Sequence, residues 1–546
     1  MNVKMRSPLK LLFLLALVWG GFNLFWQNGA IALWDQDEAA YAGFAHNILS
    51  TGNWVTPDFL WSDPHRKPPL HFWAIALSFK LFGEQEFALR FPSALAVLLT
   101  GCTIYVMGRS AFGEQTARLA TIIVFSSLLL PNLGKVSLTD ALLVLWQTIA
   151  LLALCNTLVR PRGLWTVLLW GAVSLGVLTK GPPILILVLG SLVTLALFSP
   201  QRRHLIALHP WVGLPLSLIP LLVWGRMAWV ADGGEYIQWM IDWYIVKRAS
   251  GGITFGQWGP PGYFLLVFCL GFLPWVIFFP AALGDLGRNL WRKREQPLSS
   301  GIAAWLIWGW LAYEFIPSKL PSYALGAYGA IALLIAQTII HPPHPRFPWG
   351  TRLFLLLSLL LTVGLGGAGW WLLGIRGGVL SLLVGVFWLG WAIATIHQLQ
   401  RGHLENAITL TTCNGLILTF LIWGFLMPLV NLNHSATQQV AQQIAQTTPP
   451  ETLVIFADYF DLPSLPFYVA QQQREFIGLE NNPLPQLQTY YEREQSTVLI
   501  FNQTPALQQF LDQLAAAHLP TPQQVPVRGW FSQMGTLETY TVVWRE

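Results

Sequence analysis

The feature that most limits this chain is a series of apolar stretches, each close to the thickness of a bilayer, separated by short charged breaks. A helix crosses a hydrocarbon core about 30 Å thick with roughly 20 apolar residues. Thirteen candidate stretches lie near residues 11–30, 88–108, 116–131, 138–158, 164–179, 182–199, 205–229, 261–283, 299–316, 321–340, 353–373, 378–397 and 406–430. Several fall short of a full crossing, and their ends are loosely defined. Only 10% of the 546 residues are charged, 54% are hydrophobic, and mean hydropathy is +0.50. A soluble domain carries about a quarter charged residues. A chain this poor in charge would leave too much apolar surface in water, so the expected fold is an all-α polytopic membrane protein. The 28 Trp suit a chain anchored at membrane interfaces.

Lys and Arg placement gives an orientation. With the N-terminus inside, sixteen cations fall on short inner segments and eleven on outer ones. That bias has the sign of the positive-inside rule. The exceptions matter more: Lys67, Lys180, the Lys247-Arg248 pair and Lys319 lie on the outer side, as if recruited for something other than topology. An odd number of spans puts the C-terminus outside. The first stretch has a basic start and an Ala30-Ile31-Ala32 like a cleavage site, but its apolar core is long for a signal peptide, so a retained anchor is expected.

From about residue 432 the composition turns to Gln, Pro and Asn. Residues 435–446 read as a helix, Thr452–Ala457 and Thr497–Phe501 as buried strands, 505–517 as an amphipathic helix, and Val525–Trp530 and Thr539–Val543 as further strands. The expected organisation is a transmembrane domain over 1–431 and a small non-cytoplasmic α/β domain over 432–546. Cys102, Cys155, Cys269 and Cys413 sit in apolar runs without CxxC spacing, as free thiols would.

Two outer loops are long, at about 31–87 and 230–260. The first opens LWDQDEAAY, with Asp35, Asp37 and Glu38 just after a span and at the head of a helix-compatible run. Acids at a helix N-terminus suit its dipole, so an acidic cap explains them as well as a reactive carboxylate does. The loop continues HRKPPLHFW, where prolines can start an interfacial helix and Lys67 sits at its head. A lysine there also suits snorkelling to headgroups. Asp140 opens a span, where an acid is costly unless paired or capping. Lys180 lies in a tight Lys-Gly-Pro-Pro turn and reads locally as structural. Arg248 ends WYIVKR, and Lys319 lies in PSKLPSY. Taken together, cations suit a phosphate, and a carboxylate suits a hydroxyl that must lose a proton.

These motifs carry a resemblance. LWDQDEAAYA (33–42), STGNWVTP (50–57), KPPLHFW (67–73), TDALLVLW (139–146), LTKGPP (178–183), GFLPW (271–275) and SKLPSYALGAYGAIALL (318–334) run in the order found in the bacterial lipid-A aminoarabinose transferases and protein O-mannosyltransferases, membrane-embedded C-type glycosyltransferases. The resemblance implies about thirteen membrane helices, interfacial helices in the first outer loop, and a soluble C-terminal domain. It implies a sugar donor linked to a polyprenyl phosphate and a lipid or protein acceptor, with membrane lipids around the protein and no nucleic-acid partner. Asp37 would be the principal catalytic carboxylate and Asp140 a second acid. Glu38 would bind acceptor or position the loop. Lys67, Arg248 and Lys319 would hold the donor phosphate, with Tyr41 and Tyr323 lining the substrate cavity. No cofactor is certain, and a divalent metal is left open. Arg66 and Ala40 stand where relatives often carry an acid and an arginine.

The donor's polyprenyl phosphate would leave with its charge neutralised by the cations. The acceptor oxygen would attack the anomeric carbon from the opposite face, with Asp37 taking its proton as general base, so inversion is expected. Three other readings compete. A transporter or flippase predicts inverted repeats and midplane charges, whereas here no repeat is evident and the polar residues gather on one side. A scaffold leaves the outer acids and cations unexplained. An oligosaccharide ligase differs only in what is transferred.

Overall fold

The computed structural model describes residues 6–34, 37–59, 66–247, 258–291, 297–341, 347–458, 462–471, 476–478, 484–492, 496–502, 504–531 and 536–545. The chain divides into two compact units. One comprises Met1–Trp26, Arg66–His71 and Arg90–Phe425, and the other Gln27–His65, Phe72–Leu89 and Leu426–Glu546.

The first unit is helical. Among the described residues of the whole chain, eight helices are long and apolar enough to cross a membrane. The number is nine if Tyr263–Gly271 and Trp275–Trp291, bent by 118° at their junction, form one broken span. The thirteen expected stretches are all helical but not all continuous. The 116–131 stretch divides between the 13-residue helix Glu114–Ser126 and the start of the five-residue Leu129–Leu133. The 182–199 stretch becomes the 17-residue Pro182–Phe198. The 299–316 stretch runs from helix Pro297–Leu306 through a π turn, Ile307–Leu311, into Ala312–Glu314.

The 353–373 and 378–397 stretches are arms of one 53-residue element, Pro348–Gln400. At 1.5 Å per residue it would run roughly 80 Å if straight, far beyond a bilayer core. It breaks at Gly374, whose φ of 67° and ψ of −160° lie where only glycine is at ease. The arms fold back on each other, and Thr362 Oγ1 donates to Gly385 O across them at 2.9 Å. Outward residues such as Leu356, Val363 and Leu383 are more than half exposed, leaving an apolar exterior that suits lipid.

The core of this unit is Thr139–Val159, most of which is buried. It lies antiparallel to Gly163–Lys180 because only three residues join them, and a short connection makes antiparallel neighbours. Asn156 in this core donates to Met107 O at 3.0 Å and Leu152 O at 2.8 Å, satisfying its amide away from water.

The second unit holds a five-stranded sheet: β1 Leu453–Phe456, β2 Phe476–Gly478, β3 Thr497–Phe501, β4 Gln523–Phe531 and β5 Thr536–Trp544. The order is β2-β1-β3-β5-β4, with β1 parallel to β2 and β3, and β5 antiparallel to β3 and β4. β1 and β3 are buried along their whole length, as their uninterrupted apolar runs require. Helices Ala436–Thr447 and Thr504–Ala516 match the amphipathic stretches read in the tail. The short β2 and helices Leu465–Gln471 and Leu484–Glu492 had no periodic signature and went unread.

Candidate active site

In the first unit an open cavity of about 230 Å³ is lined by Lys67, Asp140, Lys180, Tyr244, Tyr313 and Tyr323 among mostly apolar neighbours. Asp140 lies in the first turn of Thr139–Val159, and Lys180 is the last residue of Gly163–Lys180. Because these helices are antiparallel, the two ends meet on one side. An acid at an N-terminus and a cation at a C-terminus both complement the helix dipoles. Lys180 Nζ donates to Asp140 Oδ1 at 2.8 Å and to Oδ2 at 2.7 Å. Gly181 turns the chain at once with a φ of 76°, and Pro182 and Pro183 restart it, so the lysine is held at the cavity wall.

Lys67 reaches the same cavity from the loop ahead of Leu70–Phe82. It is buried, and its ammonium lies 5.6 Å from the Tyr244 ring. Tyr323 stands on the 3-10 turn Pro321–Ala327, its ring 5.8 Å from Lys180 Nζ and 6.2 Å from the Tyr313 ring. Two ammonium groups and one carboxylate thus share a pocket with apolar walls. Such a setting strengthens any interaction with a bound anion.

Lys319 is also buried, but it does not line this cavity, although its neighbour Ser318 does. Its ammonium donates to Tyr313 O and Glu314 O at 2.8 Å each and sits 5.1 Å from the Phe264 ring. Burial pushes its pKa down, with the Glu314 charge opposing. Arg248 lies outside the described residues.

Asp37, Glu38 and Tyr41 belong to the second unit, at the start of helix Asp37–Thr51. Tyr41 is buried and donates its hydroxyl proton to Asp37 Oδ1 at 2.8 Å. Glu38 is fully buried, and its Oε2 accepts from Trp34 N at 3.0 Å. Glu38 thus ties the chain just ahead of the helix to its first turn, while partly buried Asp37 is held by its tyrosine. Among the described residues no group of three His, Cys, Asp or Glu side chains is placed to hold a metal ion.

Sequence reasoning undervalued Lys180. Its signal was present in the LTKGPP motif, but a lysine at a helix end has an adequate local explanation. Only the pairing with Asp140, 40 residues away, reveals its place.

The fold defines a class: a multi-pass helical membrane protein with a small C-terminal sheet. Over 98% of its length the chain is similar to ArnT from Cupriavidus metallidurans crystallised with undecaprenyl phosphate. The TM-score is 0.75 over 97% of that chain, at 19% identity. A weaker likeness, at TM-score 0.51 and 11% identity, joins 87% of it to 64% of an oligosaccharyltransferase from Archaeoglobus fulgidus.

Within that class, the sequence points to one group. The chain is 28% identical over 337 residues to undecaprenyl phosphate-alpha-4-amino-4-deoxy-L-arabinose arabinosyl transferase 2 of Proteus mirabilis, covering 59% of this chain and 58% of the relative. It is 26% identical over 534 residues to the corresponding transferase of Edwardsiella ictaluri, covering 92% and 87%. The alignments to the first of these relatives span little more than half their length. The dolichyl-phosphate-mannose-protein mannosyltransferase family matches residues 66–225. The resemblance carried by the motifs is borne out.

Proposed function

We propose that this protein is a membrane glycosyltransferase that moves a sugar from a polyprenyl-phosphate carrier to an acceptor outside the cytoplasm. The observation that carries the reading is the cavity where Lys67 and the Lys180–Asp140 pair meet apolar and aromatic walls. A polyprenyl phosphate needs cations for its head and an apolar surface for the first units of its chain. The relative crystallised with undecaprenyl phosphate, at 19% identity, supports that donor class.

In the reaction, the acceptor oxygen forms a bond to the anomeric carbon as the bond from that carbon to the phosphate oxygen breaks. The bonding pair leaves with the polyprenyl phosphate, whose charge Lys67 neutralises in the cavity. Arg248 is a further phosphate-holding cation, and Lys319 becomes one only on leaving the Tyr313 and Glu314 carbonyls. Asp37 takes the acceptor's proton, Tyr41 fixes the carboxylate, and Glu38 positions the loop. Attack opposite the leaving group inverts the centre. Asp140, already paired, orients Lys180 and the sugar hydroxyls, and Tyr323 packs against the sugar.

The acceptor proposed is a lipid of the envelope, with a protein acceptor, as in the mannosyltransferase family's description, as the second possibility. The finer architecture proposed is thirteen spans, N-terminus inside, and the 432–546 domain on the acceptor side of a bacterial inner membrane. The test is to incubate the purified protein with a set of radiolabelled polyprenyl-phosphate sugars and with envelope lipids or proteins. Label on an acceptor, with release of polyprenyl phosphate, is expected. Movement of the intact donor across a vesicle without sugar transfer would instead establish a flippase.

A further inference from the structure

Lys67 belongs to a short stretch, Arg66 to Pro69, that lies outside helix and strand. A lysine on irregular chain has many positions open to it, so a phosphate-binding role needs something to fix its backbone. Pro68 restricts Lys67 to extended conformations but does not anchor it. The anchor comes from residues that follow the helix Pro210–Asp232. That helix ends at Gly233 and Gly234, with φ of 71° and 94°, which let the chain reverse. Asp232 then receives Gly234 N on Oδ1 and Tyr236 N on Oδ2, both at 2.9 Å, and so fixes the start of the next helix, Glu235–Ile241.

This helix start and the turn that follows it meet the Lys67 stretch at three points. Tyr236, only 2% exposed, donates its hydroxyl proton to Lys67 O at 3.0 Å. Arg66 pairs with Glu235 at 3.0 Å, its guanidinium 5.5 Å from the Tyr236 ring. Tyr244, on the π turn Asp242–Val246, sets its ring near the Lys67 ammonium. The Tyr236 ring is itself packed edge-on to Trp224 at 6.0 Å. Of the three, the Tyr236 bond weighs most, because it is buried and directed, whereas the Glu235 side chain is 72% exposed and its ion pair is screened by water.

We infer that Tyr236 is a positioning residue: by fixing the Lys67 carbonyl it sets where the Lys67 ammonium meets the phosphate of a polyprenyl phosphate, with the Arg66–Glu235 pair as an auxiliary latch. This rests on the proposed reading of Lys67 as a donor-phosphate ligand.

The experiment uses the full-length protein in detergent and radiolabelled undecaprenyl phosphate as the probe. Tyr236→Phe keeps the ring and removes one hydroxyl. It weakens probe binding about tenfold, the worth of a hydrogen bond that orients a charged ligand contact. Lys67→Ala weakens it further, and Tyr236→Phe added to Lys67→Ala changes nothing more, because the tyrosine acts only through the lysine. A merely structural tyrosine would lower affinity equally in both backgrounds, and that additive result would overturn the inference. So would Tyr236→Phe protein that binds like the wild type. Should that variant fold poorly, Glu235→Gln on the exposed side is the second probe. It is expected to weaken binding about twofold to threefold, again only while Lys67 is present, and an effect independent of Lys67 would refute the latch. Wild-type protein that does not bind the probe would overturn the donor reading itself, and the inference with it.

Discussion

Lys180 donates to both carboxylate oxygens of Asp140, at 2.8 and 2.7 Å, joining the ends of two helices at the wall of one cavity. The two side chains are mostly buried, at 18% and 8% exposure. A pair in this setting is weakly stabilising as a pair, yet costly to break from one side, because the remaining charge is left without its partner.

Lys180→Met should therefore destabilise the protein by about 3–5 kcal/mol, and Lys180→Met with Asp140→Leu by less than Lys180→Met alone. Thermal unfolding of the purified variants in detergent measures the difference. A double variant no more stable than the single would show that the pair's charges are not coupled. Both should lose sugar transfer.

Asp37→Asn keeps an oxygen that can accept from the Tyr41 hydroxyl and so should leave the fold intact. It removes the proton acceptor, and transfer should fall by about a hundredfold or more. Wild-type rates in the folded variant would remove Asp37 from the base role. Tyr41→Phe, which leaves the carboxylate but frees it to turn, should cost less.

Gly374 holds the turn between the two arms of Pro348–Gln400 at a positive φ. Gly374→Ala should cost about 1–3 kcal/mol. No heavy atom lies within 4 Å of the position a Cβ would take, so the loss comes from backbone strain and not from crowding. A melting temperature equal to wild type would mean that the break can shift to a neighbouring residue.

His46 bonds Glu84 at 2.9 Å, and that hydrogen bond, with the Glu84 charge, raises its pKa above 6.5 although burial opposes it. The sign follows from a folded-state pKa above the unfolded one. The pair's contribution is complete below about pH 6.5 and is lost as pH rises through the raised value. His46→Gln should therefore lower thermal stability at mildly acidic pH and match the wild type in alkaline buffer. With half the ring exposed, the effect should be small. A deficit that grows with pH would contradict the assignment.

Much of this molecule was legible in order along the chain. Apolar length marks a helix wherever it occurs, so the spans could be placed without knowing their neighbours. The 53-residue element shows the limit: two stretches were readable, but their joining at Gly374 without a loop was not. In the tail, β1 and β3 declared themselves as short apolar runs. The three-residue β2 did not, because so brief a strand is fixed by its partner.

The candidate site divides the same way. Asp140 and Lys67 stand out by their types and positions, since an acid or a lysine at the edge of a span needs a reason to be there, whereas Tyr323 enters only through the family resemblance. Lys180 stands out as an outer-side cation, but its tight turn already gives it a local reason, so its sequence assigns it no chemistry. Lys319 drew notice as a cation, whereas its bonds to the Tyr313 and Glu314 carbonyls are visible only in three dimensions. By itself the sequence determined a membrane-spanning helical chain and the kinds of group it would bring to chemistry, because solvent preference and charge are properties of single residues. The tertiary structure alone decided that Asp140 meets Lys180 and that Tyr236 holds Lys67 in place. Pairing depends on which helix ends the fold brings to one side, and no local stretch of chain records that.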